Sequence, residues 1–209
     1  MRVQSYVITT DRGSAPNYEA PATTLAICKP RIRKRAKIGD LILGFNGKTL
    51  SPERNSIRWA GLVSAVISFR DYWHDPAFAT KKPDQSETPD NIYCDAGEGL
   101  FQTANSSHGA SDVDRDLGGT NVLVFSQVWH LGSSHEPLGG QFSRLFVGGT
   151  RRHEPLNDLS EIEWNALRDW LSIRAISTDG SQPKPRGPRC RPANRNRILP
   201  SKPVLRKRC

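Results

Sequence analysis

The chain has 209 residues, 36% hydrophobic and 24% charged, which suits a soluble globular protein of one ordinary domain plus an appendage. No run of about 18 apolar residues occurs, so no segment reads as a membrane-spanning helix. The net charge of +9 is unevenly placed: Ser181 to Cys209 holds ten Lys or Arg and no Asp or Glu, which leaves residues 1–180 nearly neutral.

Residues 2–9 are rich in β-branched and aromatic types and read as a first strand. A turn-forming loop from Asp11 to Pro21 precedes a second strand, Thr24–Cys28. Pro30 ends that strand, because it cannot donate to a ladder and pushes its predecessor towards extended geometry. The connection to the next apolar run, Leu41–Leu43, carries Lys29, Arg31, Arg33, Lys34, Arg35 and Lys37. It reads as a cationic loop on the rim of a β structure, a place to receive a phosphate.

Asn46-Gly47-Lys48 signals a turn, and Ile57–Ile67 a long buried strand. Ser68 with Asp71 fits a capping box opening a short helix that ends near Asp75-Pro76. From Thr80 to Gly119 the chain is polar, anchored by Ile92-Tyr93 and Leu100-Phe101; a long irregular stretch inside a domain is more often functional than idle. Asn121–Val128 reads as a strand and Arg144–Val147 as a further one. Ser160–Ile173 reads as a helix, with a Ser160/Glu163 capping box and a stripe of Ile162, Ala166, Leu167, Trp170 and Leu171. The proline-rich cationic stretch from 178 onward reads as disordered. There is no strand–helix alternation and no glycine-rich phosphate loop, so the expected class is α+β. The expectation is a bent mixed or antiparallel sheet, or a small open barrel, with a short helix and a C-terminal helix. The domain spans 1–177 and the basic tail 178–209.

Four cysteines, Cys28, Cys94, Cys190 and Cys209, lie far apart without a CxxC pair, which argues for free thiols over a disulfide framework or zinc ribbon. The N-terminus lacks the apolar core of a signal peptide, so a cytoplasmic location is expected. Cys28 sits beside Lys29 and near several guanidinium groups, a setting that activates a thiol as nucleophile. The plainer alternative is an inert buried strand cysteine. Asp90, Asn91 and Tyr93, with His108 and Asp116 downstream, offer a carboxylate, an amide, a phenol and an imidazole. Together they could hydrogen-bond a base edge and shuttle a proton, or simply stabilise the loop through Asx turns. The candidate catalytic set is therefore Cys28, Tyr93, His108 and Asp116. The candidate phosphate or nucleic-acid contacts are Lys29, Arg31, Arg33, Asp90 and Asn91. His130 and His135 are five residues apart with no evident third partner, so no metal site is expected. Ser126 with His108 and Asp116 is rejected as a triad, since nothing resembling G-x-S-x-G surrounds the serine.

Cys28-Lys29-Pro30-Arg31-Ile32-Arg33, followed by Ala36 and Gly39-Asp40, resembles the nucleotide modification associated domain 2 family. Asp71-Tyr72-Trp73, Asp75-Pro76-Ala77-Phe78, Lys81-Lys82-Pro83, Asp90-Asn91-Ile92-Tyr93, His108 and Arg115-Asp116-Leu117 agree further. The resemblance implies a place in pathways that modify or hypermodify DNA bases, with nucleotide or DNA and other DNA-modification enzymes as partners. It implies neither a reaction nor a cofactor. Trp129-His130-Leu131-Gly132 departs from the aromatic pair expected before glycine. A looser similarity, in Gly39-Asp40 and the strand around Trp59–Val66, is to PUA-like and EVE-like barrels. It implies the other function class, a non-catalytic reader of modified bases.

Overall fold

In strand β1 (Arg2–Ile8) the side chains alternate: Val3 faces one core cluster, Tyr6 and Ile8 another. Strand β3 (Leu41–Asn46) repeats the device, with Leu41, Leu43 and Phe45 on the first face and Ile42 on the second. These two strands are parallel neighbours in a sheet covered on both faces. The structure is a computed structural model that describes residues 1–53, 55–132, 136–146 and 157–176.

The remaining strands are β2 (Thr23–Leu25), β4 (Ile57–Ser68), β5 (Tyr93–Asp95), β6 (Leu100–Gln102), β7 (Asn121–His130) and β8 (Asn157–Asp158). A six-stranded sheet has the order β2-β7-β4-β3-β1-β8, and every pairing except β1 with β3 is antiparallel. Strands β5 and β6 form a separate two-stranded ribbon. Register shifts between Leu62 and Ala65 bend the long β4–β7 ladder. The class is α+β with a mixed sheet. Strands β2 and β8 end the order without pairing to each other, so the described residues form no closed barrel.

Among the described residues the α-helices are α1 (Pro30–Arg35), α2 (Phe69–His74), α3 (Val113–Leu117) and α4 (Glu161–Arg174). Both expected capping boxes form, at Ser68/Asp71 and Ser160/Glu163. On α4, Leu167 and Leu171 enter the core beside Trp129 and Phe142, and Ser172 accepts the Trp129 indole N–H at 3.0 Å. Ile162, expected on the apolar stripe, is 82% exposed instead. Arg144 and Leu145 belong to a 3-10 turn (Gly140–Leu145), not to a strand. Val147 and the expected tail from 178 lie outside the described residues.

The basic connection is also corrected. Strand β2 stops at Leu25, and the residues after Lys29 form helix α1 rather than a loop. Pro30 occupies the first helical position, where its fixed φ is pre-organised and its missing N–H costs nothing. Ile32 and Ala36, four apart, are buried in the same cluster as Tyr6 and Trp59. Full burial of a side chain such as Ile32 contributes about 1.5–3 kcal/mol. Trp59 in turn needs Gly44: a β-carbon there would meet the Trp59 ring and lie 2.9 Å from Ile8 Cδ1. The indole N–H then reaches Tyr6 Oη at 2.9 Å.

Candidate active site

The chain leaves β2 through buried Ala26 and Ile27 and turns sharply into α1 at Cys28 and Lys29. Both turn residues are left-handed, with φ of 58° and 44°, a conformation that costs a non-glycine residue roughly 1–2 kcal/mol. Three contacts hold the turn. The Cys28 N–H donates to Asp116 Oδ1 at 2.9 Å, Arg33 Nε donates to the Cys28 carbonyl at 2.7 Å, and Lys29 Nζ donates to the Val7 carbonyl at 2.9 Å.

The turn presents the thiol to a histidine from a distant part of the chain. Cys28 Sγ lies 3.3 Å from His108 Nε2, and the other ring nitrogen, Nδ1, lies 2.5 Å from Asp116 Oδ2. The His108 backbone N–H is fixed on Asn105 Oδ1 at 2.8 Å. Asp116, on α3, is fully buried and also accepts the Tyr93 hydroxyl at 2.9 Å. Gln102 Nε2 reaches that hydroxyl at 3.4 Å. One ring nitrogen therefore faces the thiol and the other the carboxylate, the arrangement by which a base is oriented and charged beside a nucleophile.

The charges follow from this geometry. Burial works to lower the His108 pKa, but the hydrogen bonds to Asp116 and Cys28 outweigh it and push it up to about 9. Burial works to raise that of Asp116, yet His108 and the Cys28 N–H hold it below the usual carboxylate range. Tyr93 is pushed upward by burial and by Asp116, so it stays a neutral donor. Ligand atoms of Cys28, His108 and Asp116 lie within 4.8 Å of one another, a set that could hold a metal ion. However, both Asp116 oxygens already accept hydrogen bonds, Oδ1 from the Cys28 N–H and Oδ2 from the Tyr93 hydroxyl, and Oδ2 also faces His108 Nδ1. The donor set fits a proton relay better than a chelate.

The thiol and imidazole open on a cleft of about 290 Å³. Thr9, Arg12 and Ser14 from the segment after β1 line it, as do Asp112 and Arg115 from the His108 side. A smaller hollow of about 90 Å³ between Phe142 and α4 carries no such constellation.

Cys28, Tyr93, His108 and Asp116 are thus brought together. The five candidate binding residues are dispersed. Lys29 lines the cleft, but its ammonium is tied to Val7 and stands 4.7 Å over the Tyr6 ring, and burial lowers its pKa. Arg31 is exposed on α1. Arg33 is fully buried and directs its guanidinium to the carbonyls of Cys28, Asp116 and Asn121. Asp90 accepts from Thr24 Oγ1 and Tyr72 Oη, each at 2.7 Å, and Asn91 donates to the Tyr72 carbonyl at 2.8 Å; both are buried. Two cleft residues, Arg12 and Arg115, went unassigned in the sequence. The signal for Arg115 was its place directly before Asp116.

No curated protein and no solved structure matches the chain. The sequence model of the nucleotide modification associated domain 2 family matches residues 1–186, a few residues into the expected tail. The segments that build the relay, from the Cys28 turn to the Arg115-Asp116 helix, all lie inside that match, and the chain belongs to the nucleotide modification associated domain 2 family.

Proposed function

We propose that the protein is an enzyme of a nucleotide or DNA-base modification pathway that uses Cys28 as a covalent nucleophile. The observation that carries this reading is that His108 contacts Cys28 Sγ through Nε2 at 3.3 Å and Asp116 through Nδ1 at 2.5 Å. His108 takes the thiol proton, Asp116 holds the resulting imidazolium, and Tyr93 donates to the same carboxylate oxygen that faces the ring. The sulfur attacks an electrophilic carbon of the nucleotide or of a group destined for it. His108 then returns the proton to the leaving group, and a second nucleophile releases the product from sulfur. The family's name supports nucleotide chemistry as the setting. A reduced thiol requires a compartment such as the cytoplasm.

The competing reading is a reader that binds a modified base without changing it. Readers of bases need a stacking surface. Among the described residues that line the cleft, His108 supplies the one ring, and it is engaged in the relay. This favours the enzyme. The basic residues of 181–209 supply non-specific attraction to nucleic acid in either case.

The test is to incubate the protein and its Cys28→Ala variant with nucleotides and with modified and plain DNA, with candidate co-substrates present. The masses of both protein and nucleotide are followed. A mass change that depends on Cys28 is expected; tight binding that leaves both masses unchanged and survives Cys28→Ala would instead establish a reader.

A further inference from the structure

Arg115 is placed where a substrate's charge would be read. Its Nη2 lies 4.0 Å from Cys28 Sγ and 3.5 Å from His108 Nδ1. Asp112 at 2.9 Å and Asp116 at 3.6 Å fix the guanidinium, yet the side chain remains 47% exposed. A guanidinium carries five N–H donors in a rigid fork, so two carboxylate contacts leave donors facing the cleft. Arg12 lines the same cleft, is exposed, and makes no ion pair or hydrogen bond with a described residue. Lys29 adds a third cation to the lining, against one carboxylate, Asp112, which Arg115 already engages. The hydroxyls of Thr9, Thr10, Ser14 and Ser107 make the walls polar.

We infer that Arg115 and Arg12 form an anion subsite beside Cys28, and that the substrate is a small molecule bearing a carboxylate or phosphate a few bonds from the carbon that sulfur attacks. The inference rests on the reading of Cys28 as the nucleophile. The spacing sets the reach: an oxygen held about 2.8 Å from a guanidinium nitrogen, itself 4.0 Å from sulfur, belongs to a group only two or three bonds from the new carbon–sulfur bond. Arginine suits such a group because its fork binds planar carboxylate or phosphate oxygens in pairs. At the reacting carbon the C–S bond forms as the bond to the leaving group breaks. The leaving group keeps the electron pair and takes the proton that His108 received from the thiol.

Two haloacetyl probes of similar size test this without the natural substrate. Iodoacetate carries the carboxylate and iodoacetamide does not. Each gives the same step, in which a C–S bond forms, iodide leaves with its electron pair, and the thiol proton passes through His108 to solvent. Rates at Cys28 are read by peptide mass. The ratio of iodoacetate to iodoacetamide rates in the folded protein should exceed the ratio in the urea-unfolded chain by about tenfold, the worth of one charge-assisted contact. Arg115→Gln and, less strongly, Arg12→Gln should return the ratio towards the unfolded one. A folded ratio equal to the unfolded one, or one indifferent to Arg115→Gln, would overturn the subsite. Slow reaction with both probes but a preserved charge preference would support the subsite and defeat the nucleophile. Protection by inorganic phosphate and a nucleoside 5′-monophosphate identifies a phosphate-bearing substrate, protection by acetate alone a carboxylate, and protection by none of them counts against the inference.

Discussion

A β-carbon on Gly119 would lie 2.6 Å from Nη1 of Arg33, so the missing side chain at 119 is what allows the guanidinium to seat beneath that backbone. From there Arg33 joins the Cys28 carbonyl to those of Asp116 and Asn121, with the Phe69 ring 5.4 Å away. One buried cation thus ties together the two chain segments that must meet for the relay to exist.

Arg33→Met should therefore destabilise the protein by about 2–4 kcal/mol, because buried carbonyls lose their donors. Gly119→Ala should cost about 1–3 kcal/mol by overpacking against the guanidinium. Denaturant unfolding measures both. If Arg33→Met melts like the parent, the guanidinium is not the tie described.

The relay has a pH signature. The folded His108 pKa, about 9, is raised from 6.5. Its contribution to stability is therefore complete below pH 6.5 and is lost as pH rises through 9. Asp116 is shifted the other way, from 3.8 downward. Its contribution is present above pH 3.8 and is lost as pH falls through its lower folded value. Between pH 6.5 and 9 the protein should lose up to about 3 kcal/mol relative to a His108→Gln variant. An NMR titration should also show the His108 pKa dropping in Cys28→Ser, since Cys28 is one of the groups that raise it.

A second buried network should behave as a coupled pair. Lys81 donates to Asn17 Oδ1 at 2.8 Å, and Asp90 holds Thr24 and Tyr72; both charged residues are fully buried. Burial lowers the Lys81 pKa and raises that of Asp90, and each charge offsets the other's shift. Lys81→Met alone should cost about 3–5 kcal/mol by stranding Asp90, and Lys81→Met with Asp90→Asn distinctly less than the two single costs combined. Additive costs in a double-mutant cycle would show the two charges to be independent.

Truncation after residue 180 should weaken DNA binding and flatten its salt dependence, by about 0.9 in slope for each phosphate that the tail no longer neutralises. Discrimination among substrates should persist. Arg31→Ala is the clean companion variant, because Arg31 is exposed while Arg33 is structural. Loss of discrimination on truncation would place the reading of substrate in the tail.

The elements legible in the sequence were those written in local chemistry. The Ser68 and Ser160 capping boxes and the β-branched runs of β1, β4 and β7 each act within a few residues. Helix α1 was missed because its charge density masked the Ile32/Ala36 pair that buries it. The fate of Arg33 was illegible for a different reason: its three acceptors include residues 116 and 121, brought close only by the tertiary fold. Cys28, Tyr93, His108 and Asp116 could be named as chemically apt residues, whereas their order, sulfur to imidazole to carboxylate, needed the left-handed turn at residues 28 and 29. Arg115 was visible beside Asp116 but had no assigned task until its distance to sulfur was known.

The central claim is that the fold activates Cys28 through His108. The most direct measurement is the iodoacetamide alkylation rate of Cys28 at neutral pH, folded and urea-unfolded, in the parent and in His108→Gln. The relay predicts that the folded thiol reacts at least about tenfold faster than the same thiol unfolded, and that His108→Gln removes the advantage. A folded Cys28 that reacts no faster than the unfolded one, or one indifferent to His108, would contradict the account.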